Sequence, residues 1–204
     1  MHASTDPAAR RRFSSVAILL HWTIAALIVA NVLIGLYAGG LKGLAQFAML
    51  QWHKSFGITV LVLSLARLGW RLGNAPPPLP ASMPTWEKAA AHATHWGFYL
   101  VMVGLPVTGW IMVSASPLGI PTLLYKVIPW PHIGLVHALP MTQRKPLEAL
   151  MVEVHETLAW GSIALLILHV GAALKHHFRN GDDVLWRMAP LKGLEPRRAQ
   201  GEDV

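Results

Sequence analysis

Four stretches of this chain each hold about 20 or more apolar or small residues, enough to cross a hydrocarbon core of about 30 Å. They run from about Val16 to Tyr37, Gln51 to Trp70, Ala89 to Val113 and Leu147 to Leu174. The expected fold is all-α and integral to the membrane: a four-transmembrane-helix bundle forming a single membrane domain over residues 1–204. Composition agrees, because 53% of residues are hydrophobic and 13% charged, against about 25% charged in a soluble domain.

The connections carry the polar residues. Residues 1–14 contain Arg10-Arg11-Arg12 and resemble a signal-peptide n-region. The apolar stretch behind them is long enough to span, and no Ala-x-Ala-like site closes it, so it reads as an uncleaved first helix. Residues 75–84 open with Ala75-Pro76-Pro77-Pro78-Leu79-Pro80 and are expected to form an extended loop. Pro106 predicts a kink in the third span. Lys and Arg set the orientation. Twelve, including Arg10–Arg12, Arg67, Arg71, Lys88 and Lys175, fall on one side. Five, Lys42, Lys54, Lys126, Arg144 and Lys145, fall on the other. Both termini and the proline loop are then cytoplasmic, and the long loop 115–146 is periplasmic. The net charge of +7 expresses this orientation rather than nucleic-acid binding.

With no cysteine in the chain, disulfides, thiolate zinc, cysteine-bound iron–sulfur clusters and covalent c-type haem are excluded. The eleven histidines leave nitrogen ligation as the available metal chemistry. His155 and His169 share the fourth span, fourteen residues apart. That spacing is roughly 21 Å along a helix, and the turn between them closes to within roughly 40°, so both face nearly the same way. His21 lies toward the cytoplasmic end of the first span, and His53 opens the second at the periplasmic side. Depth therefore pairs His21 with His169 and His53 with His155. An ionisable residue inside a span is a functional candidate by default. Two neutral imidazoles on one haem iron make a six-coordinate centre suited to electron transfer.

The remaining histidines carry less. His92 and His95, three residues apart on the third span, are alternative ligands, propionate partners or interfacial residues. His176 continues the His169 face about 10 Å further on. Either it hydrogen-bonds a quinone carbonyl, or with Lys175 and His177 it forms a cationic helix end that complements the dipole. His132 and His137 are expected to be solvated, and His2 disordered. No carboxylate is paired with the ligand histidines inside the spans, although Glu148, Glu153 and Glu156 cluster about the His155 end.

Several segments together carry a family resemblance. They are Leu20-His21-Trp22, Gln51-Trp52-His53-Lys54-Ser55-Phe56-Gly57, Ala91-His92-Ala93-Thr94-His95, His155-Glu156-Thr157-Leu158-Ala159, and Leu168-His169 through His176-His177. With the triple proline and Leu185-Trp186-Arg187-Met188-Ala189-Pro190, they make nearly the whole chain similar to the bacterial cytochrome b561 family, and within it to the di-haem superoxide oxidases. Lys175 departs from that type, where a small residue is usual, and the periplasmic loop is longer and differs in sequence.

The resemblance implies two haems b, on His21/His169 and His53/His155, and a quinone contact at His176. It implies a multi-pass protein of the bacterial inner membrane that passes electrons from superoxide to ubiquinone, with membrane lipid, quinone and superoxide or a redox protein as partners. Lys126, Arg144, Lys145, Lys42 and Lys54 are candidates for steering the anion. Two alternatives stand beside this. One is a cytochrome b subunit relaying electrons from a hydrogenase or dehydrogenase to quinone. The other is a haem-free structural or transport protein.

Overall fold

A chain in lipid has no water to satisfy its backbone, so each crossing closes its own hydrogen bonds as a helix. The computed structural model describes residues 12–80 and 83–190. His2, Arg10, Arg11, Lys192, Arg197 and Arg198 lie outside the described residues. Helices α1 (Ser15–Gly39), α2 (Gly43–Gly73) and α3 (Thr85–Ala115) are followed by the strands β1 (Thr122–Leu124) and β2 (Ile128–Trp130). The short α4 (Gly134–His137) and the long α5 (Met141–Lys175) complete the order. Among the described residues α1, α2, α3 and α5 with its continuation to Asn180 are long and apolar enough to cross a membrane.

The helices overrun the apolar stretches. α2 begins at Gly43 rather than about Gln51, and α5 at Met141 rather than about Leu147. At the start of α2 a local hydrogen bond extends the helix beyond the apolar run. The Gln46 side-chain amide donates to the Ala38 carbonyl at 3.3 Å, which ties the first turn of α2 to the last turn of α1. The same carbonyl accepts from the Leu41 N–H at 3.1 Å, so a backbone and a side-chain donor together close this helix end.

Neighbouring helices pack in the order α1, α2, α3, α5. Ile24, Val60, Tyr99 and Met102 form the buried cluster among α1, α2 and α3. Leu19, Leu33, Ile167 and Leu168 stay exposed. On a soluble monomer such a surface would be an aggregation patch, whereas on a membrane bundle it is the face that meets lipid.

One end of the bundle gathers the start of α1, the end of α2 and the last described residues. Ser14 caps α1, its Oγ accepting from the Ala17 N–H at 3.2 Å and the Trp70 indole N–H at 3.0 Å. The Trp22 indole N–H donates to the Met188 carbonyl at 2.7 Å, and the Phe13 N–H to the Arg187 carbonyl at 3.1 Å.

At the opposite end, the loop after α3 is structured rather than open. β1 and β2 pair antiparallel, with Leu124 opposite Ile128. Tyr125 and Lys126 turn the hairpin at φ 52° and 63°, a conformation that L residues adopt at a cost of roughly 1–2 kcal/mol each. The hairpin is pinned to α2. The Tyr125 N–H donates to Ser55 Oγ at 2.8 Å, the Gln51 amide donates to the Pro121 carbonyl at 2.9 Å, and the Tyr125 hydroxyl meets Thr59 Oγ1 at 2.5 Å.

Arg144 corrects an expectation. It is buried, and its guanidinium donates to the carbonyls of Ala115 at 3.1 Å and Ser116 at 2.5 Å. It caps the C-terminus of α3, where carbonyls lack partners and the dipole favours a cation. It is not available to attract an anion from solvent.

Candidate functional site

The four span histidines meet as two pairs on three helices. His21 on α1 and His169 on α5 have ring centres 6.2 Å apart at an interplanar angle of 66°. His53 on α2 and His155 on α5 are 6.1 Å apart at 74°. Two imidazole nitrogens on opposite sides of one metal ion, each at about 2.0 Å, hold their ring centres roughly 6 Å apart.

The His53/His155 pair sits in a matching pair of seats. His53 Nδ1 lies 3.1 Å from the Asn31 carbonyl oxygen on α1, and His155 Nδ1 lies 3.1 Å from the Leu105 carbonyl oxygen on α3. A carbonyl only accepts, so each Nδ1 carries the proton and each Nε2 keeps its lone pair. Four residues beyond each carbonyl stands a glycine. A Cβ on Gly35 would come within 3.0 Å of His53 Cε1, and one on Gly109 within 3.3 Å of His155 Cε1. Pro106 follows Leu105 inside α3 and removes one N–H from the ladder there. Thr108 Oγ1 donates to the same Leu105 carbonyl at 2.9 Å and lies 3.2 Å from His155 Nδ1.

These seats border a largely apolar cavity of about 570 Å³, lined among others by Ile28, Val32, Lys54, Phe98, Val101, Glu148 and Glu156. Asn31 Oδ1 is buried in this region without a hydrogen bond among the described residues. An apolar cavity, two facing imidazoles with free Nε2 atoms and a small rim of polar groups fit a bis-histidine haem b. The neighbouring glutamates do not orient His155, because backbone and threonine oxygens hold its Nδ1 instead.

The His21/His169 pair is surrounded differently. Phe98 packs edge-on to His169 at 5.1 Å. His95 on α3 lies 6.0 Å from His169, slightly nearer than His21 at 6.2 Å, while His92 is exposed. Arg67 Nη1 donates to His21 Nδ1 at 3.0 Å. A guanidinium has no acceptor, so in this arrangement Nδ1 is the lone-pair nitrogen of His21. An iron at Nε2 would need the proton on Nδ1, and a filled site would then require Arg67 to release this contact. A cavity of about 390 Å³ lined by Arg12, Arg67, Arg71, Trp70 and Tyr99 lies beside it. Its cations suit the propionates that a haem would bring.

His176 is buried at the end of α5, in a π-helical turn from His176 to Asn180. Its Nδ1 lies 2.5 Å from Asp182 Oδ2 and its Nε2 lies 3.6 Å from Glu87 Oε2 on α3. Lys175 Nζ donates to Glu87 Oε1 at 2.6 Å. This partner accounts for a lysine beside the histidine pair.

At the other end, His132 and His137 stack at 4.9 Å with planes 9° apart, and His137 Nδ1 lies 3.3 Å from the Ser114 carbonyl oxygen. Desolvation first, and then the nearby charges of His137, Lys54 and Arg144, hold the His132 pKa below its ordinary value.

Comparison with known proteins settles the family. The family model described as prokaryotic cytochrome b561 matches residues 12–190. The chain belongs to the prokaryotic cytochrome b561 family. Cytochrome b561 homolog 1 of Escherichia coli (strain K12) is 31% identical over 186 residues, 89% of this chain and 98% of that protein. Cytochrome b561 homolog 2 of the same organism is 31% identical over 181 residues, 87% and 90% of the two chains. A protein of Yersinia pestis named probable superoxide oxidase CybB is 29% identical over 186 residues, 89% and 98%. As a cytochrome b561, the chain is a membrane electron-transfer protein of a haem b family.

Several contributors to the site escape a reading of spacing alone. They are Asn31, Gly35, Leu105 and Gly109 at the seats, Arg67 at His21, and Glu87 and Asp182 at His176. The glycines left the only local signal, as small residues at a four-residue offset from a backbone acceptor.

Proposed function

We propose that this cytochrome b561 carries electrons across the bacterial inner membrane from superoxide to ubiquinone. Two haems b lie on the path, one between His53 and His155 and one between His21 and His169. The charge bias of the connections supports cytoplasmic termini, with the hairpin end periplasmic. The observation that carries the reading is the pair of six-ångström imidazole contacts, one of them with both outer nitrogens committed to carbonyls.

Held by the two histidines of each pair, haem b would supply one-electron transfer. The chain supplies everything else. Asn31 and Leu105 fix ring rotation and tautomer. Ile24, Val60, Tyr99 and Met102 keep water out of the region between the two levels. Lys54 on the cavity wall and Lys126, which lies 5.7 Å over the Trp52 ring, offer an anion a cationic approach to the His53 level. Steering of this kind raises association rates and weakens with salt. His176 receives the quinone at the other level.

A pulse of superoxide given to the haem-loaded protein is expected to reduce its haems within milliseconds, with added short-chain ubiquinone reoxidising them. Haems that stay oxidised through the pulse would sink the superoxide donor. One feature favours a second reading, a cytochrome b subunit fed by a hydrogenase or dehydrogenase. Leu118, Val127 and Leu135 stand exposed on the loop above the His53 level and offer a protein an apolar face. Haem reduction only in the presence of such a partner would select this version.

A further inference from the structure

The third polar centre of the molecule lies around His176. Glu87 comes from the first turn of α3 and His176 from the end of α5, so the two meet only through the fold. Both side chains are about nine-tenths buried, at 10% and 11% exposure. Glu87 uses one oxygen on Lys175, at 2.6 Å. The other, Oε2, accepts no hydrogen bond among the described residues, although His176 Nε2 stands 3.6 Å away. That gap is too long for a hydrogen bond. A donor and an acceptor thus face one another unjoined. The opposite edge of the ring is closed: Nδ1 meets Asp182 Oδ2 at 2.5 Å and Asn180 Nδ2 at 3.2 Å. Gly181 at φ 61° turns the chain so that Asp182 folds back onto the ring. Asp182 is the more exposed carboxylate, at 22%. The nearby Arg187 and Asp183 pair with one another at 2.9 Å.

We propose that Glu87 and His176 are the two arms of the quinone headgroup site, and that Asp182 returns protons to His176. This rests on the reading of His176 as the quinone contact. A quinone carbonyl accepts from His176 Nε2–H. When the headgroup takes two electrons from the chain's electron-transfer activity, each C=O π bond is lost and each oxygen gains an O–H. At this end the N–H bond of Nε2 breaks as the O–H forms. As Nε2 gives up its proton, Nδ1 takes one from Asp182 Oδ2; the ring is reset when Nδ1 hands that proton back to Asp182 and Nε2 takes one from water, while the new hydroxyl donates to Glu87 Oε2. The second ring oxygen takes its proton from solvent, which closes the balance at two electrons and two protons. A carboxylate acceptor favours the hydroquinone over the quinone, because only the former has a hydrogen to give it.

The test uses the haem-loaded protein in lipid nanodiscs, a short-chain ubiquinone, and kcat and KM across pH. Glu87→Gln is expected to keep both haems and their spectra, while kcat falls roughly tenfold or more and its pH dependence flattens. Glu87→Asp should restore part of both. Asp182→Asn is the independent variant, expected to lower kcat with little change in KM. Wild-type kcat and pH profile in both Glu87→Gln and Asp182→Asn would overturn the proposal. Failure of the underlying reading shows elsewhere: wild-type protein whose reduced haems pass no electrons to the ubiquinone rules out the quinone site itself, and this inference with it.

Discussion

His155 Nδ1 lies 3.1 Å from the carbonyl oxygen of Leu105, the residue immediately before Pro106. An imidazole aimed in this way needs its neighbour's backbone close by, and Gly109 leaves the room. His53 repeats the arrangement on Asn31 and Gly35.

Filling either seat is therefore expected to cost one haem and spare the other. Gly35→Val and Gly109→Val each press a side chain onto a ligand ring, an overpacking worth about 1–3 kcal/mol. Haem-to-protein ratio by pyridine haemochrome should fall by about one per chain in each. Gly161→Val is the control, because a Cβ there meets nothing within 4 Å. Equal haem content in all three would remove the seat from the account.

His155→Ala and His169→Ala are expected to remove different haems. Each substitution leaves one pair intact, so each variant should retain about one haem with a distinct midpoint potential. Two haems surviving in either variant would break the pairing of His53 with His155 and His21 with His169.

Arg67 sits beside only one level. Its charge favours the oxidation state with less positive charge on the neighbouring iron. Arg67→Leu should lower that haem's midpoint potential by roughly 50–100 mV, the effect of one partly screened charge at such a distance. Optical redox titration should show the other haem unmoved. A shift shared equally by both would point to a general change in the bundle.

Arg144 and Lys126 separate structure from steering. Arg144→Ala leaves the last carbonyls of α3 without their charged donor and should cost about 2 kcal/mol, read as a lower unfolding midpoint. Lys126→Ala should leave the midpoint nearly unchanged and slow reduction by superoxide severalfold at low salt, with the difference vanishing at high salt. Salt-independent rates in the wild type would exclude steering.

The loop carries a pH response. Folding holds His132 below its ordinary value of 6.5, so the unfolded chain takes up the proton first as pH falls. Its contribution is present above that value and is lost as pH drops through it toward the folded pKa. Thermal unfolding of wild type should weaken over this window relative to His132→Gln. Parallel curves would dismiss the effect.

The spans and the histidine depths were legible because both are local properties: an apolar run has a length, and a histidine has a position along it. The overruns of α2 and α5 were not, since Gln46 and Ala38 settle the α1–α2 junction across a turn. Gly35 and Gly109 looked like ordinary small residues of membrane helices. Their role depends on which ring faces them from another helix. Arg67 and Arg144 read as orientation charges because hydropathy counts a cation without asking which carbonyl or ring it meets. Glu87 and His176 lie 89 residues apart, and no periodicity connects them.

The two seats have a consequence for the life of the protein in the cell. The rings at the His53 level belong to α2 and α5, and the carbonyls that orient them belong to α1 and α3. A group clasped there ties all four crossings into one unit. Binding that occurs only in the assembled bundle adds its free energy to assembly. With haem held there as proposed, its supply is expected to set how long the chain survives proteolysis, so that abundance in the membrane follows haem availability.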